Sequence, residues 1–213
     1  IGRMLRDNGY STAWFGKDHN VPAFQASQVG PFDRWPTGMG FEKFYGFLDG
    51  ETDQFEPTLY DGTSQVVRPK GANYHLTEDM ASRAIAWMGQ QKALAPDKPL
   101  FVYFAPGATH APLQAPKEWI DRFRGQFDQG WDKMRVESFA RQKSLGVVPA
   151  TAQLTPRPAQ LPAWDSFTPA QQRVAARLME VYAGFMAHTD EQIRRVVAAL
   201  KDLGEFENTL FFY

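Results

Sequence analysis

The stretch LFVYFAPGATHAPLQAP, Leu100 to Pro116, decides the fold. Leu100 to Ala105 form an apolar run with almost no polar relief, bounded by Pro99 and Pro106, which is the pattern of a strand buried on both faces. Such a strand belongs in the middle of a parallel sheet. Pro106, Gly107, Pro112 and Pro116 then take the chain out as a stiff loop that re-enters regular structure as a helix near Pro116. His110 therefore falls at a strand's carboxyl end, where open α/β sheets gather their ligands. An imidazole there suits proton transfer, because a free one titrates near ~6.5. A loop histidine bonded to its own turn fits the same spacing.

Composition limits the rest. The chain has 213 residues, 43% hydrophobic and 14% aromatic, enough for one large core and consistent with one domain or part of one. Lysine and arginine number 23 against 24 aspartates and glutamates, so no charge excess points to nucleic acid or an acidic membrane surface. The absence of cysteine excludes disulfides, thiolate metal sites and a cysteine nucleophile within these residues, and leaves the compartment undecided. No run reaches the ~18 apolar residues needed to cross a bilayer. The chain opens at Ile1 with no signal-like segment, so a targeting sequence is expected only outside it.

Outward from the central stretch, the pattern alternates helix and strand. Ile1, Met4 and Leu5 share a helical face that Gly9 ends, and Tyr10 to Phe15 reads as a strand. Residues 21–65 are rich in glycine, proline and aromatics and read as an ordered functional loop, with a weak strand signal at Gly40 to Phe47. Thr77 is the expected N-cap of a helix to about Gln91 that buries Met80, Ala84, Trp87 and Met88. His75, just before it, reads as a capping or surface residue. A further helix spans Asp132 to Leu145, and the proline-rich stretch Val147 to Phe167 reads as extended surface chain. Thr168-Pro169-Ala170-Gln171 starts a long helix with a buried face including Val174, Leu178, Phe185 and Leu200, ending at Gly204. His188 and Asp190 within it read as packing or surface residues. Thr209 to Tyr213 reads as a last apolar strand, after which no loop follows. A chain that stops there reads as a fragment.

Gly16-Lys17-Asp18-His19-Asn20 follows the first strand and, like His110, sits at a carboxyl end. Lys17 offers a compact charge to an oxyanion, and His19, two residues on in extended chain, points to the same side. A polar loop that happens to hold a lysine and a histidine is the plainer alternative. Glu51, Asp53 and Glu56 make an acidic group that admits a metal-site reading but is better read as a solvated loop, since nothing fixes their geometry and no histidine stands nearby.

With GKDHN after one strand, GATHAPLQAP after another and a long helix leading into LKDLGEFENTLFFY, the chain resembles the middle of a type I sulfatase, in the arylsulfatase branch of the alkaline phosphatase superfamily. GPFDRWPTG, YHLTEDMA and FDQGWDKMR look like that branch. The resemblance implies an α/β, alkaline-phosphatase-like fold, a mostly parallel sheet flanked by helices and incomplete in this chain. Residues 1–213 would be the central part of a single catalytic domain. It also implies hydrolysis of a small-molecule sulfate ester through a formylglycine nucleophile with a calcium ion. Lys17 and His19 match the residues that hold sulfate and formylglycine, and His110 matches the one that contacts sulfate and assists the leaving group. His19 and His110 are then the catalytic pair, with Lys17 and His110 binding substrate. The cysteine motif that matures to formylglycine, the paired aspartates before it, and an Asp-Asn pair and lysine after TLFFY are not in the chain. Calcium ligands are therefore expected mostly outside it, and these residues alone are expected to be inactive. A phosphonate or phosphate monoester hydrolase of the same superfamily, or a non-catalytic α/β domain that holds an anion, are the alternatives.

Overall fold

The computed structural model describes residues 1–71 and 73–213. The chain forms two compact units, one of residues 1–115 and 185–213 and one of residues 116–184.

The first unit is built on a five-stranded sheet. Its strands are β1 (Ser11–Asp18), β2 (Lys43–Leu48), β3 (Leu59–Asp61), β4 (Ser64–Val66) and β5 (Leu100–Ala105), in the order β4-β3-β2-β1-β5. β2, β1 and β5 are parallel, and β3 and β4 add an antiparallel hairpin beyond β2. Helix α1 (Gly2–Asp7) precedes β1, and α2 (Leu76–Leu94) crosses back to β5. The fold is therefore mixed α/β, as the alternation requires.

Alternation along each strand sorts side chains onto two faces. Ala13 and Phe15, Tyr45 and Phe47, and Leu100, Val102 and Phe104 share a core with Leu76, Met80, Ala84, Trp87 and Met88 of α2. Trp14, Phe44, Leu48 and Phe101 meet Val21, Trp35 and Phe41 on the other face. The glycine- and proline-rich segment is thus a lid of aromatics. Trp35 is wholly buried, donates Nε1–H to Gln25 O at 3.0 Å and stands edge-on to Phe32 and Tyr60.

The sheet corrects several expectations. β5, the most apolar strand, is an edge strand among the described residues and leaves Tyr103 46% exposed, whereas β1 and β2 are nearly all buried. Burial follows from having a strand on each side, which local hydrophobicity does not report. β1 extends three residues beyond Phe15, so Gly16, Lys17 and Asp18 belong to it. Within 21–65 the chain returns to the sheet three times, with β3 and β4 joined through Gly62 at φ +63°. Thr209 to Tyr213 pairs with no strand among the described residues, and Leu210, Phe212 and Tyr213 are exposed. Ile1 and Met4 face solvent, while Gly2 is the residue that α1 buries.

The second unit contains α3 (Lys117–Asp121), α4 (Gly130–Ser144) and the start of α5 (Pro169–Asp202). α5 opens as its sequence dictates: Thr168 N donates to Gln171 Oε1 at 2.9 Å and Gln171 N to Thr168 Oγ1 at 3.4 Å. Val174 and Leu178 are exposed, however, and Ala176 and Glu180 are the buried side chains there. Glu180 is held by Gly125 N–H at 2.8 Å and by Arg177. Trp164, in an otherwise irregular 147–167 segment, is buried against Trp131, with ring centroids 4.8 Å apart.

One row of the sheet is unusually tight. Gly16 pairs with Gly46 on β2 and Ala105 on β5, and it holds φ +119°, a left-handed region that favours glycine. A Cβ on Gly16 would lie 1.9 Å from Ala105 O, and one on Gly46 would lie 2.0 Å from Gly16 O. Gly16→Ala should therefore cost about 3 kcal/mol or more in urea unfolding. A loss below ~1 kcal/mol would mean that the strands part readily at this row.

Candidate active site

The tight row sets where the following loops emerge. Because Gly16, Gly46 and Ala105 are in register on parallel strands, the chain beyond each of them leaves at the same edge of the sheet. β1 ends in Lys17 and Asp18 and leads to His19. β2 leads to Asp49-Gly50-Glu51, and β5 to the loop 106–116 with His110 at its centre. Asp49 N–H donates to Asp18 O at 2.9 Å, so the β1 and β2 exits are tied together, and within β1 Trp14 Nε1–H donates to Lys17 O at 3.0 Å.

The turn after β2 meets both histidines. His19 Nε2 lies 3.9 Å from Asp49 Oδ1, and its ring lies over Gly50, where a Cβ would come within 2.9 Å of Cε1. His110 Nδ1 lies 3.5 Å from Glu51 Oε2. Three consecutive residues reach at most ~7 Å between their outer Cα atoms, so the two rings are drawn to one short element. Both rings are more than half exposed, at 65% and 51%, which leaves them open to a ligand and makes the ion pairs weak in themselves. His110 Nδ1 is also 3.0 Å from Ala111 O. A carbonyl only accepts, so Nδ1 carries the proton in that contact. The loop reading and the site reading of His110 thus describe the same ring.

Sequence reasoning missed three residues here. Asp49 is the sole non-glycine residue with positive φ among those described, at +95°, and its Oδ1 accepts from Gly50 N at 2.6 Å. Backbone strain of this kind collects at working sites. Asp18, between Lys17 and His19, is fully buried, and burial pushes its carboxyl up although Asn20 N and Nδ2 both donate to Oδ1. Gln114, near the end of the His110 loop, bonds to the 49–56 segment. The Asp49-Gly50 pair just after an apolar run was the signal available for the turn. The other two carried none.

The acidic group is also clarified. Glu51 does have a histidine beside it, His110, brought in by the fold from a separate strand. Asp53 accepts from Gln114 Nε2 and from the backbone N–H groups of Glu56 and Phe55, and these bonds hold its carboxyl below the usual range. Glu56 pairs with Arg68. Among the described residues, no group of three or more His, Asp or Glu could hold a metal ion.

Behind this layer, His75 is 1% exposed and is itself the N-cap of α2, its Nδ1 accepting from Thr77 N at 3.2 Å. The cap is therefore His75, one position before the helix, and Thr77 lies in the first turn. Nδ1 accepts, so Nε2 carries the proton and donates to Gln114 O at 3.2 Å. His188 is buried as expected of a packing residue, with its ring centroid 4.4 Å from that of His75 and its Nε2 2.9 Å from Glu78 Oε1.

A family model described as Sulfatase matches residues 1–213. The chain belongs to the sulfatase family. It is 34% identical over 225 residues to an arylsulfatase of Klebsiella aerogenes, covering all of this chain and 46% of that protein. It is 30% identical to an uncharacterized sulfatase of Schizosaccharomyces pombe, covering all of this chain and 39% of that protein. The chain thus spans less than half the length of these relatives. Among solved structures, that of BT4656 in complex with its substrate D-glucosamine-2-N,6-O-disulfate aligns with 98% of this chain and 47% of its own, with TM-score 0.61 and 19% identity. That of Ps i-CgsB in complex with k-i-k-neocarrahexaose covers 98% and 37%, with TM-score 0.60 and 20% identity. These two establish the fold.

In this sulfatase chain the buried His75 makes stability depend on pH. Burial first, then the neighbouring His188, lowers its pKa to about 4 from the 6.5 of a free imidazole. Between those values the unfolded chain takes up a proton that the native ring refuses, so stability is full above pH ~6.5 and falls as pH drops toward ~4. The loss attributable to His75 is about 3 kcal/mol. Urea unfolding of the parent and of His75→Gln from pH 7.5 to 4 should give curves that converge as the pH falls. Parallel curves would remove His75 as the cause.

Proposed function

We propose that Lys17, His19 and His110 form the sulfate-handling part of a sulfuric ester hydrolase. The 213 residues are then the central part of one catalytic domain, and the full-length protein cleaves a small-molecule sulfate ester. The observation that carries this reading is the Asp49-Gly50-Glu51 turn, which meets His19 and His110 at once beside the end of β1. Family membership over the whole chain supports it.

Formylglycine in the full-length protein supplies the nucleophilic oxygen. The chain's own residues do the rest. Lys17 sets a positive charge against the sulfate oxygens and offsets charge that builds as the ester bond lengthens. His110 contacts the sulfate and donates a proton to the departing alcohol or phenol oxygen. His19 accepts the proton whose removal releases sulfate from the enzyme. The calcium ion implied by family resemblance finds no ligand set among the described residues, and no step here depends on it.

Sulfate and phosphonate monoesters are both tetrahedral anions, and the two histidines and lysine suit either. Turnover of the full-length protein on matched aryl sulfate and aryl phosphonate esters separates them, with sulfate expected to be preferred. Lys17→Ala, His19→Ala and His110→Ala should each lower kcat/KM for the aryl sulfate by about 10²-fold or more while retaining the parent Tm. Variants that stay within a few-fold of the parent would defeat these assignments. An active-site-free anion binder would show sulfate binding lost in the same variants with no turnover in the parent.

A further inference from the structure

We propose that Gln114 is a positioning residue of this site, the latch that fixes the His110 loop against the segment following the Asp49-Gly50-Glu51 turn. The proposal rests on the reading of His110 and its neighbours given above and adds to it a residue that touches no substrate.

The loop 106–116 begins and ends on the same residue. At its start, Gly107 lies against the side chain of the buried Gln54, with Nε2 only 3.0 Å from where a Cβ would stand. At its end, Gln114 Oε1 accepts from Gln54 N at 2.7 Å. Gln114 Nε2 donates to Asp53 Oδ2 at 2.8 Å, which also fixes which end of the amide is which. The main chain is held as well, since Gln114 O accepts from His75 Nε2 at 3.2 Å. Gln54 O in turn accepts from Leu76 N at 2.8 Å, so both the loop and its support are pinned to the start of α2. Within the loop, His110 N donates to Gly107 O at 2.9 Å.

The consequence is geometric. Glu51 stands two residues before Asp53, and His110 four before Gln114, so the Asp53–Gln114 bond ties together the same two segments that the Glu51–His110 contact joins. Loss of the latch frees the His110 loop to shift relative to Lys17 and His19 without removing any of the three. Displacement of a reacting group by ~1 Å is enough to lower turnover by as much as 10²-fold.

The bond's polarity supplies the test. In Gln114→Glu a carboxylate faces the Asp53 carboxylate, and in Asp53→Asn an amide faces an amide that can no longer donate to a charge. Combined as Asp53→Asn with Gln114→Glu, the pair regains one donor and one acceptor with roles exchanged. In the full-length protein, Gln114→Glu and Gln114→Leu should lower kcat for an aryl sulfate about tenfold with KM little changed, measured well below Tm; Gln114→Leu, which strips Gln54 N of its acceptor, should also lower Tm, whereas Gln114→Glu keeps that acceptor. The double variant should recover to within about threefold of the parent. A second readout needs no turnover: the His110 ring resonance in a carbon-13 NMR spectrum should move in Gln114→Glu and return in the double variant. The latch is overturned if kcat falls only in step with Tm, if the exchanged pair restores neither readout, or if the His110 resonance ignores Gln114. A parent that cleaves no aryl sulfate removes the sulfatase reading, and the resonance then still decides for or against the latch.

Discussion

Three parallel strands meet at a row whose two glycines leave no room for a Cβ, and the candidate site depends on that row. Gly46, Gly16 and Ala105 lie side by side, with carbonyl oxygens occupying the space a Cβ would need. Register between strands is otherwise set by which face is buried, and a slip by one residue would exchange the faces. Here the backbones themselves lock it. Because the loops begin within a few residues of the lock, small errors in strand register are not passed on to Lys17, His19 and His110.

The two faces of the sheet are covered by different means. α2 and the end of α5 supply Met80, Met88, Trp87 and Leu200 to one side, as expected of an α/β fold. The other side has no long helix among the described residues, only the short α1, whose Gly2 lies against Phe41. Its cover is the 21–41 segment, whose Val21, Phe32, Trp35 and Phe41 fold down on Trp14, Phe44 and Tyr60. Edge-to-face rings suit an irregular segment, because a few large rigid groups bury much area without needing a repeating backbone. A buried loop must also bond its own peptide groups. Trp35 Nε1 on Gln25 O and the backbone turns between residues 32 and 41 meet part of that need.

Beneath the exposed histidines lies a polar layer that is largely shielded from water. Gln114 accepts from Gln54 N through its side chain and from His75 Nε2 through its main chain, while Thr77 N donates to His75 Nδ1 and Leu76 N to Gln54 O. Such networks hold a geometry more narrowly than apolar packing, since a misplaced partner leaves a buried polar group without a bond. The same burial that makes His75 a firm anchor keeps its ring neutral, which ties the integrity of the layer to pH. Exposed pairs such as Glu51 with His110 contribute little to stability, so their placement is inherited from this layer.

By itself the sequence determined the α/β alternation, the strand at Leu100–Ala105, the end of α1 at Gly9, the buried stripe of α2 and the Thr168–Gln171 start of α5. Each of these is a local matter of periodicity, capping or glycine conformation. The placing of His19 and His110 at strand ends was legible as well, whereas Lys17, read as following the strand, lies inside β1. Only the tertiary structure decided that β5 is an edge strand, that β3 and β4 extend the sheet beyond β2, that TLFFY joins no strand among the described residues, and that Val174 and Leu178 face outward. It alone brought Glu51 to His110, Asp49 to His19, and Gln114 to Asp53 and Gln54. Those meetings join residues as many as 61 positions apart, between Asp53 and Gln114. Side-chain pattern reports what a residue prefers nearby, whereas which strand lies next to which is set by the packing of the whole sheet.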